Sequence, residues 1–389
     1  MNSGRSVFAQ LLDFLPMHEF HKCVHRYGGQ RRLRKFSCFD QFLCMAYAQL
    51  TGRDSLRHLE TCLRILHPKL YHAGFRGEIS RSTLADANQN RDWRIYADLA
   101  QFLIGQARDL YSDDSFAVAL KQAAYAFDST TVDLCLKLFP WAKFRRRKGA
   151  VKLHTMIDLR GNIPCFIRIT DGKTHDVNAL DHLTLEAGAF YMMDRGYVDF
   201  RRLSVFTHQA AFFVTRSKKN LDCERRISRR VDKSTGLRCD QTIVLKGIKT
   251  ARAYPDSLRR ISYVDAITEK RLVFLTNNFN LPAIVIPQLY KCRWQVELFF
   301  KWIKQHLCIK SFLGNSENAV KTQVWIAVCV YVLVAILKKQ LRLDNSLNEI
   351  LQILGVTLFE KTLVSSMFSC ENHQIEDPSR PKQLSLFDF

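Results

Sequence analysis

None of the 12 cysteines forms a Cys-x-x-Cys pair, so the sequence suggests neither a zinc ribbon nor a disulfide framework. No basic, apolar and cleavage pattern opens the chain, so no secretory leader is expected. Long apolar runs are missing too. The longest, Val324 to Leu337, falls short of the roughly 18 residues expected for a membrane span. Negative charge is scarce: 37 Asp+Glu face 58 Lys+Arg, a formal net charge of +21. Such an imbalance implies a polyanionic partner, most often nucleic acid. At 389 residues the chain has room for roughly two to three domains and a substantial core. A reduced, soluble, cytoplasmic protein is expected.

What is present centres on the stretch from Pro287 to Leu307, which reads as one helix opened by its proline. Leu289, Val296, Phe299, Phe300, Ile303 and Leu307 recur at helical spacing and predict a buried face. Tyr290, Arg293, Glu297 and Lys304 stand at i, i+3, i+7 and i+14. At roughly 100° per residue these offsets fall within an arc of about 60°. A phenol, two bases and an acid on one narrow stripe suggest the wall of a site that handles an anion through a metal.

Two further carboxylates emerge from apolar strands. Ala123 to Phe127 runs into Asp128, followed by Ser129-Thr130-Thr131-Val132-Asp133. An acid in that position is costly unless it is paired or binds metal. Asp133 falls on the opposite face if the strand continues, which leaves Asp128 as the candidate. Ala189 to Met193 delivers Asp194 at its C-terminal end, where ligands collect in open α/β sheets. Asp128, Asp194 and Glu297 together form an all-oxygen donor set. That suits Mg²⁺ or Mn²⁺ rather than zinc, with two ions per site expected for in-line displacement at phosphorus.

The Tyr-x2-Arg-x3-Glu-x6-Lys pattern, with Asp-Ser-Thr-Thr at Asp128 and Asp-Arg-Gly-Tyr at Asp194, resembles bacterial insertion-sequence transposases of the family numbered four. The resemblance implies an α/β fold, a ribonuclease H-like mixed sheet flanked by helices. It makes Asp128, Asp194 and Glu297 the catalytic, metal-binding acids. It implies cut-and-paste transposition: hydrolysis leaves a 3′-OH, which attacks again in the same site through a DNA hairpin and then strand transfer. It implies a homodimer assembled on DNA, each element end held by the subunit on the other. Arg293 and Lys304 are expected to clamp phosphates, and Tyr290 to hydrogen-bond a neighbouring one. Relatives also carry a β insertion between the second aspartate and the glutamate, some with a tryptophan that stacks an unpaired base. Residues 217–279 hold no tryptophan here, which leaves Tyr254 or Tyr263 for that role.

The remaining chain fits this frame. Residues 1–115 read as an all-α N-terminal domain, matching the family region expected on terminal inverted repeats. Its helices are Val7 to Leu15, Gln41 to Leu50 capped by Asp40, a third opened by Asp54, a short one after Ser80, and Trp93 to Leu110. The basic run Arg31 to Lys35 suits a helix-turn-helix-like DNA-binding unit. His21 and His25, one turn apart, are more readily core or solvent residues than metal ligands. Val151 to Asp158 and Ile163 to Ile169 form a hairpin, with Lys152 and His154 on one face, toward DNA or solvent. The catalytic domain is expected over 120–216 and 280–341, interrupted by a β-rich insertion at 217–279. The apolar helix Val320 to Leu341 should lie buried against the sheet. A helical segment at 342–369 precedes a disordered tail at 370–389. Gln383, Leu384, Leu386 and Phe387 in that tail resemble the peptide by which bacterial proteins dock on the DNA polymerase sliding clamp. A metal-dependent nuclease on the same fold, or a non-catalytic DNA-binding regulator descended from a transposase, are the competing readings.

Overall fold

The computed structural model describes residues 4–368 except 32–34, 76, 115, 117, 119, 121, 146–147 and 307–311. The N-terminal part is helical: α1 Val7–Leu12, α2 Met17–Arg26, α3 Cys38–Leu50, α4 Leu56–Ile65, α5 His67–Leu70, α6 Arg81–Asn90 and α7 Arg94–Leu110. Serine hydroxyls start four of these helices, Ser6, Ser37, Ser55 and Ser80, each accepting from a backbone N–H that has no partner inside the helix. Asp40 and Asp54 are therefore not the caps expected. Asp40 is the reciprocal partner of Ser37, its carboxylate accepting from the Ser37 N–H at 2.7 Å.

A single mixed sheet follows. Its strands are β1 Ala124–Leu134, β2 Lys143–Arg145, β3 Lys148–Asp158, β4 Ile163–Asp171, β5 Phe190–Met193, β6 Phe212–Arg216, β7 Cys223–Arg229, β8 Leu237–Leu245, β9 Leu258–Val264 and β10 Arg271–Thr276. Leaving aside the short β2, which hairpins onto the start of β3, the order β4-β3-β1-β5-β6 opens the sheet. β1, β3 and β4 are antiparallel, and β1, β5 and β6 are parallel. This is the ribonuclease H-like arrangement. The β3–β4 turn places Gly161 and Asn162 at φ 70° and 57°, as a primed hairpin turn requires. A Cβ on Gly161 would stand 2.3 Å from the Tyr111 ring, so the turn is pressed against the end of α7.

β10 pairs with β6, and β9, β8 and β7 continue outward, so residues 217–279 extend the central sheet. β7 is a strand that periodicity does not predict, because its Cys-Glu-Arg-Arg-Ile-Ser-Arg sequence carries little apolar signal. The added strands are fastened internally. Arg259 forks onto Asp240 at 2.9 and 2.8 Å, both side chains almost fully buried, and donates to the Leu281 carbonyl at 2.6 Å.

Helices α8 Phe200–His208 and α9 Ile248–Ala253 lie beside these strands. After β10 come α10 Val285–Cys292, α11 Trp294–His306, α12 Glu317–Gln340, α13 Leu347–Thr357 and α14 Val364–Phe368. α12 is apolar on every side and long enough to cross a membrane by length and composition, but its apolar stretch is almost wholly buried. It packs chiefly on α7, α3 and α6, and meets the sheet along β4. All-round hydrophobicity predicted the burial; the partners are the N-terminal helices, so one core runs from them through α12 to the sheet.

Candidate active site

β1 and β5 run parallel with Phe127 opposite Met193. Asp128 and Asp194 each follow by one residue, so the register alone delivers both carboxylates side by side where the strands part. The third acid comes from the helices above. α10 packs on β5 and β6, and α11 packs on β1 and β3. The expected single helix is broken between them at Arg293. Its φ and ψ of −54° and −27° are those of a 3₁₀ turn. The Arg293 N–H donates to the Tyr290 carbonyl and the Val296 N–H to the Arg293 carbonyl, both i to i−3 at 3.1 Å. Pro287 lies in the third position of α10 rather than opening it.

This turn aims the signature side chains into the gap. Arg293 donates through Nη1 to Asp128 Oδ2 at 2.6 Å and through Nη2 to Glu297 Oε1 at 2.5 Å. The Tyr290 hydroxyl donates to Asp194 Oδ1 at 3.2 Å. Asp128 Oδ1 accepts from the Ser129 N–H at 2.8 Å. The structure thus links Asp128 and Glu297 through one guanidinium and holds Asp194 by one phenol. Lys304 is exposed on α11 two turns beyond Glu297.

The electrostatics follow from burial. Asp128 is raised to about 6, first by desolvation and further by the charges of Asp194 and Glu297; the Ser129 amide and Arg293 oppose the rise. Burial pushes the Tyr290 phenol up to about 12, so it stays a donor at neutral pH. Three carboxylates against one guanidinium leave the pocket short of positive charge, and every candidate donor is a carboxylate oxygen. That composition fits a hard divalent cation. Among the described residues no three His, Cys, Asp or Glu side chains converge on one point, and in this pocket Arg293 stands between Asp128 and Glu297.

Behind Asp128 lies a second polar group that the sequence reading missed. Asp176 accepts from Ser129 Oγ at 2.8 Å and pairs with Lys152 at 3.1 Å. His154, opposite Ser129 in the register, is fully buried against Thr170 at 2.9 Å. His154 therefore does not face solvent, and Lys152 is tied to Asp176 with only a small part of its side chain exposed. The signal was present in the hydroxyl directly after Asp128 and in the His175-Asp176 pair. Tyr254 is 1% exposed and has no ring face to offer a base. Tyr263 is half-buried beneath Lys291. Trp294, next to Arg293 and outside residues 217–279, is 57% exposed. Gln383, Leu384, Leu386 and Phe387 lie outside the described residues.

A ribonuclease H-like sheet with an acid cluster at the parting of its parallel strands is the framework of transposases that act on DNA. The chain belongs to the transposase DDE domain family, whose profile covers residues 120–333, and it is a bacterial insertion-sequence transposase. Residues 3–76 match a second family, described only as a domain of unknown function. A transposase of Sinorhizobium fredii, y4zB, is 33% identical over 288 residues, 73% of this chain and 79% of its own. A transposase for the insertion sequence element IS5377 of Geobacillus stearothermophilus is 32% identical over 223 residues, 57% of this chain and 58% of its own. Among solved structures, a piggyBac transposase synaptic complex with hairpin DNA aligns over 92% of this chain and 80% of that one, at 9% identity and a TM-score of 0.49. A likeness that faint leaves the fold to be read from the strand order itself.

Proposed function

We propose that this transposase works by cut and paste in the cytoplasm, associated with the nucleoid, and belongs to the family numbered four. Residues 1–115 bind the terminal inverted repeats, and the chain acts as a homodimer assembled on paired DNA ends. Asp128, Asp194 and Glu297 would hold Mg²⁺ or Mn²⁺, which would supply charge stabilisation at phosphorus and activation of the attacking oxygen. The Ser129 amide orients Asp128, and Tyr290 orients Asp194 through its 3.2 Å hydrogen bond. Arg293 and Lys304 meet phosphates near the scissile bond, where exclusion of water strengthens each contact. Exposed Trp294 offers an indole face beside Arg293, where residues 217–279 hold no tryptophan.

The observation that carries this reading is that Arg293 joins Asp128 of β1 to Glu297 of α11, while Tyr290 of α10 holds Asp194 just past the end of β5. The test is incubation with the element's own ends and Mg²⁺ on a denaturing gel, which resolves nicks and hairpins. Asp128→Ala, Asp194→Ala and Glu297→Ala should each abolish cleavage while sparing DNA binding. Normal cutting by Glu297→Ala would overturn the assignment.

A further inference from the structure

Arg293 is placed unusually for a residue whose expected partner is phosphate. Its guanidinium bridges Asp128 and Glu297 with two charge-assisted hydrogen bonds. Its Nε is buried with no hydrogen-bond partner. It also occupies the one 3₁₀ turn between α10 and α11, the kind of local irregularity that marks a hinge within a helix. The bridge is thus strong enough to order two acids, yet it leaves one buried donor unsatisfied. An unmet donor of that kind favours any partner able to satisfy the whole fork.

We propose that Arg293 is an internal counter-ion that competes with the divalent cation for Asp128 and Glu297, and that DNA releases it. The proposal rests on the reading of these acids as a cation site. The guanidinium sits on Asp128 Oδ2 and Glu297 Oε1, so a divalent cation drawn to the same oxygens meets its positive charge at close range and the two compete for the acids. A DNA phosphate offers the departing guanidinium a bidentate anionic partner. DNA and metal binding are then positively coupled, and linkage makes the coupling reciprocal: each ligand tightens the other by the same factor. In the absence of DNA the ion pair keeps the acids occupied, which limits cutting away from a correctly seated end.

The test measures Mn²⁺ binding to the full chain by electron paramagnetic resonance of the free ion, with and without a duplex bearing the element end. Arg293→Gln should bind Mn²⁺ about tenfold tighter than wild type without DNA, the size expected from losing a competing charged hydrogen bond. Addition of DNA should tighten Mn²⁺ binding in wild type and change it little in Arg293→Gln. Arg293→Lys, which keeps the charge but reaches one acid at a time, should fall between. It also serves if the glutamine variant fails to fold by circular dichroism. Equal or weaker Mn²⁺ binding by the folded variants, with Glu297→Gln still abolishing it, would overturn the competition and leave the cation site standing. Absence of Mn²⁺ binding in wild type, even with DNA, would instead remove the cation site on which the proposal rests.

Discussion

His154 should make the fold acid-sensitive in a way one substitution can isolate. The imidazole is fully buried on β3, directly across from Ser129. Its Nε2 meets Thr170 Oγ1 at 2.9 Å, while its Nδ1 has no hydrogen-bond partner and lies 4.0 Å from Asp176. Burial lowers its pKa from 6.5 to about 4; Asp176 opposes the fall, and Lys152, Arg168 and His182 add to it. A depressed folded-state value means that the contribution is present above 6.5 and is lost as pH falls toward 4, because only the unfolded chain takes up the proton. With those two values the loss between pH 7 and pH 5 is about 2 kcal/mol, and about 3 kcal/mol in full at lower pH. Urea unfolding followed by tryptophan fluorescence should show wild type losing about 2 kcal/mol more than His154→Gln over that interval. Parallel losses in the two proteins would refute the argument and place a freely titrating imidazole at this position.

Lys304→Ala should weaken cleavage and make the logarithmic salt dependence of DNA binding shallower by about one. An unchanged slope in filter binding would remove Lys304 from the DNA path. A peptide of residues 380–389 should bind the DNA polymerase sliding clamp, with Gln383 as amide anchor and Leu386 and Phe387 in an apolar pocket. Replacing Leu386 and Phe387 by alanine should cost roughly tenfold or more by calorimetry, and unchanged affinity would count against the docking.

The parts of this fold legible in the sequence are those governed by local period and by costs that no environment waives. An apolar run leading into Asp128 or Asp194 announces itself because a carboxylate is not left in a core unpaired. Which strands lie side by side is a different matter. The alignment of Phe127 with Met193 joins segments more than sixty residues apart, and neither segment encodes the other's register. Ser37 and Asp40 show a smaller version of the same limit. Both belong to one capping box, and composition alone does not say which of them precedes the first turn. The all-round apolar surface of α12 required burial but could not name α7 and α3 as its neighbours.

Arg293 is the sharpest case. No glycine or proline marks the turn at Arg293; the break arises because α10 follows β5 and β6 while α11 follows β1 and β3. A helical wheel drawn through the break still collects Tyr290, Arg293, Glu297 and Lys304, which is why the stripe was visible. The wheel treats a basic side chain as seeking an anion and supplies phosphate from the expected function. In the folded chain the nearest anions are Asp128 and Glu297, at 2.6 and 2.5 Å, and a low-dielectric pocket weights them heavily. The guanidinium therefore has two competing sets of partners. A sequence can name the charge, but which partners hold it in the folded chain is decided by the depth of the pocket.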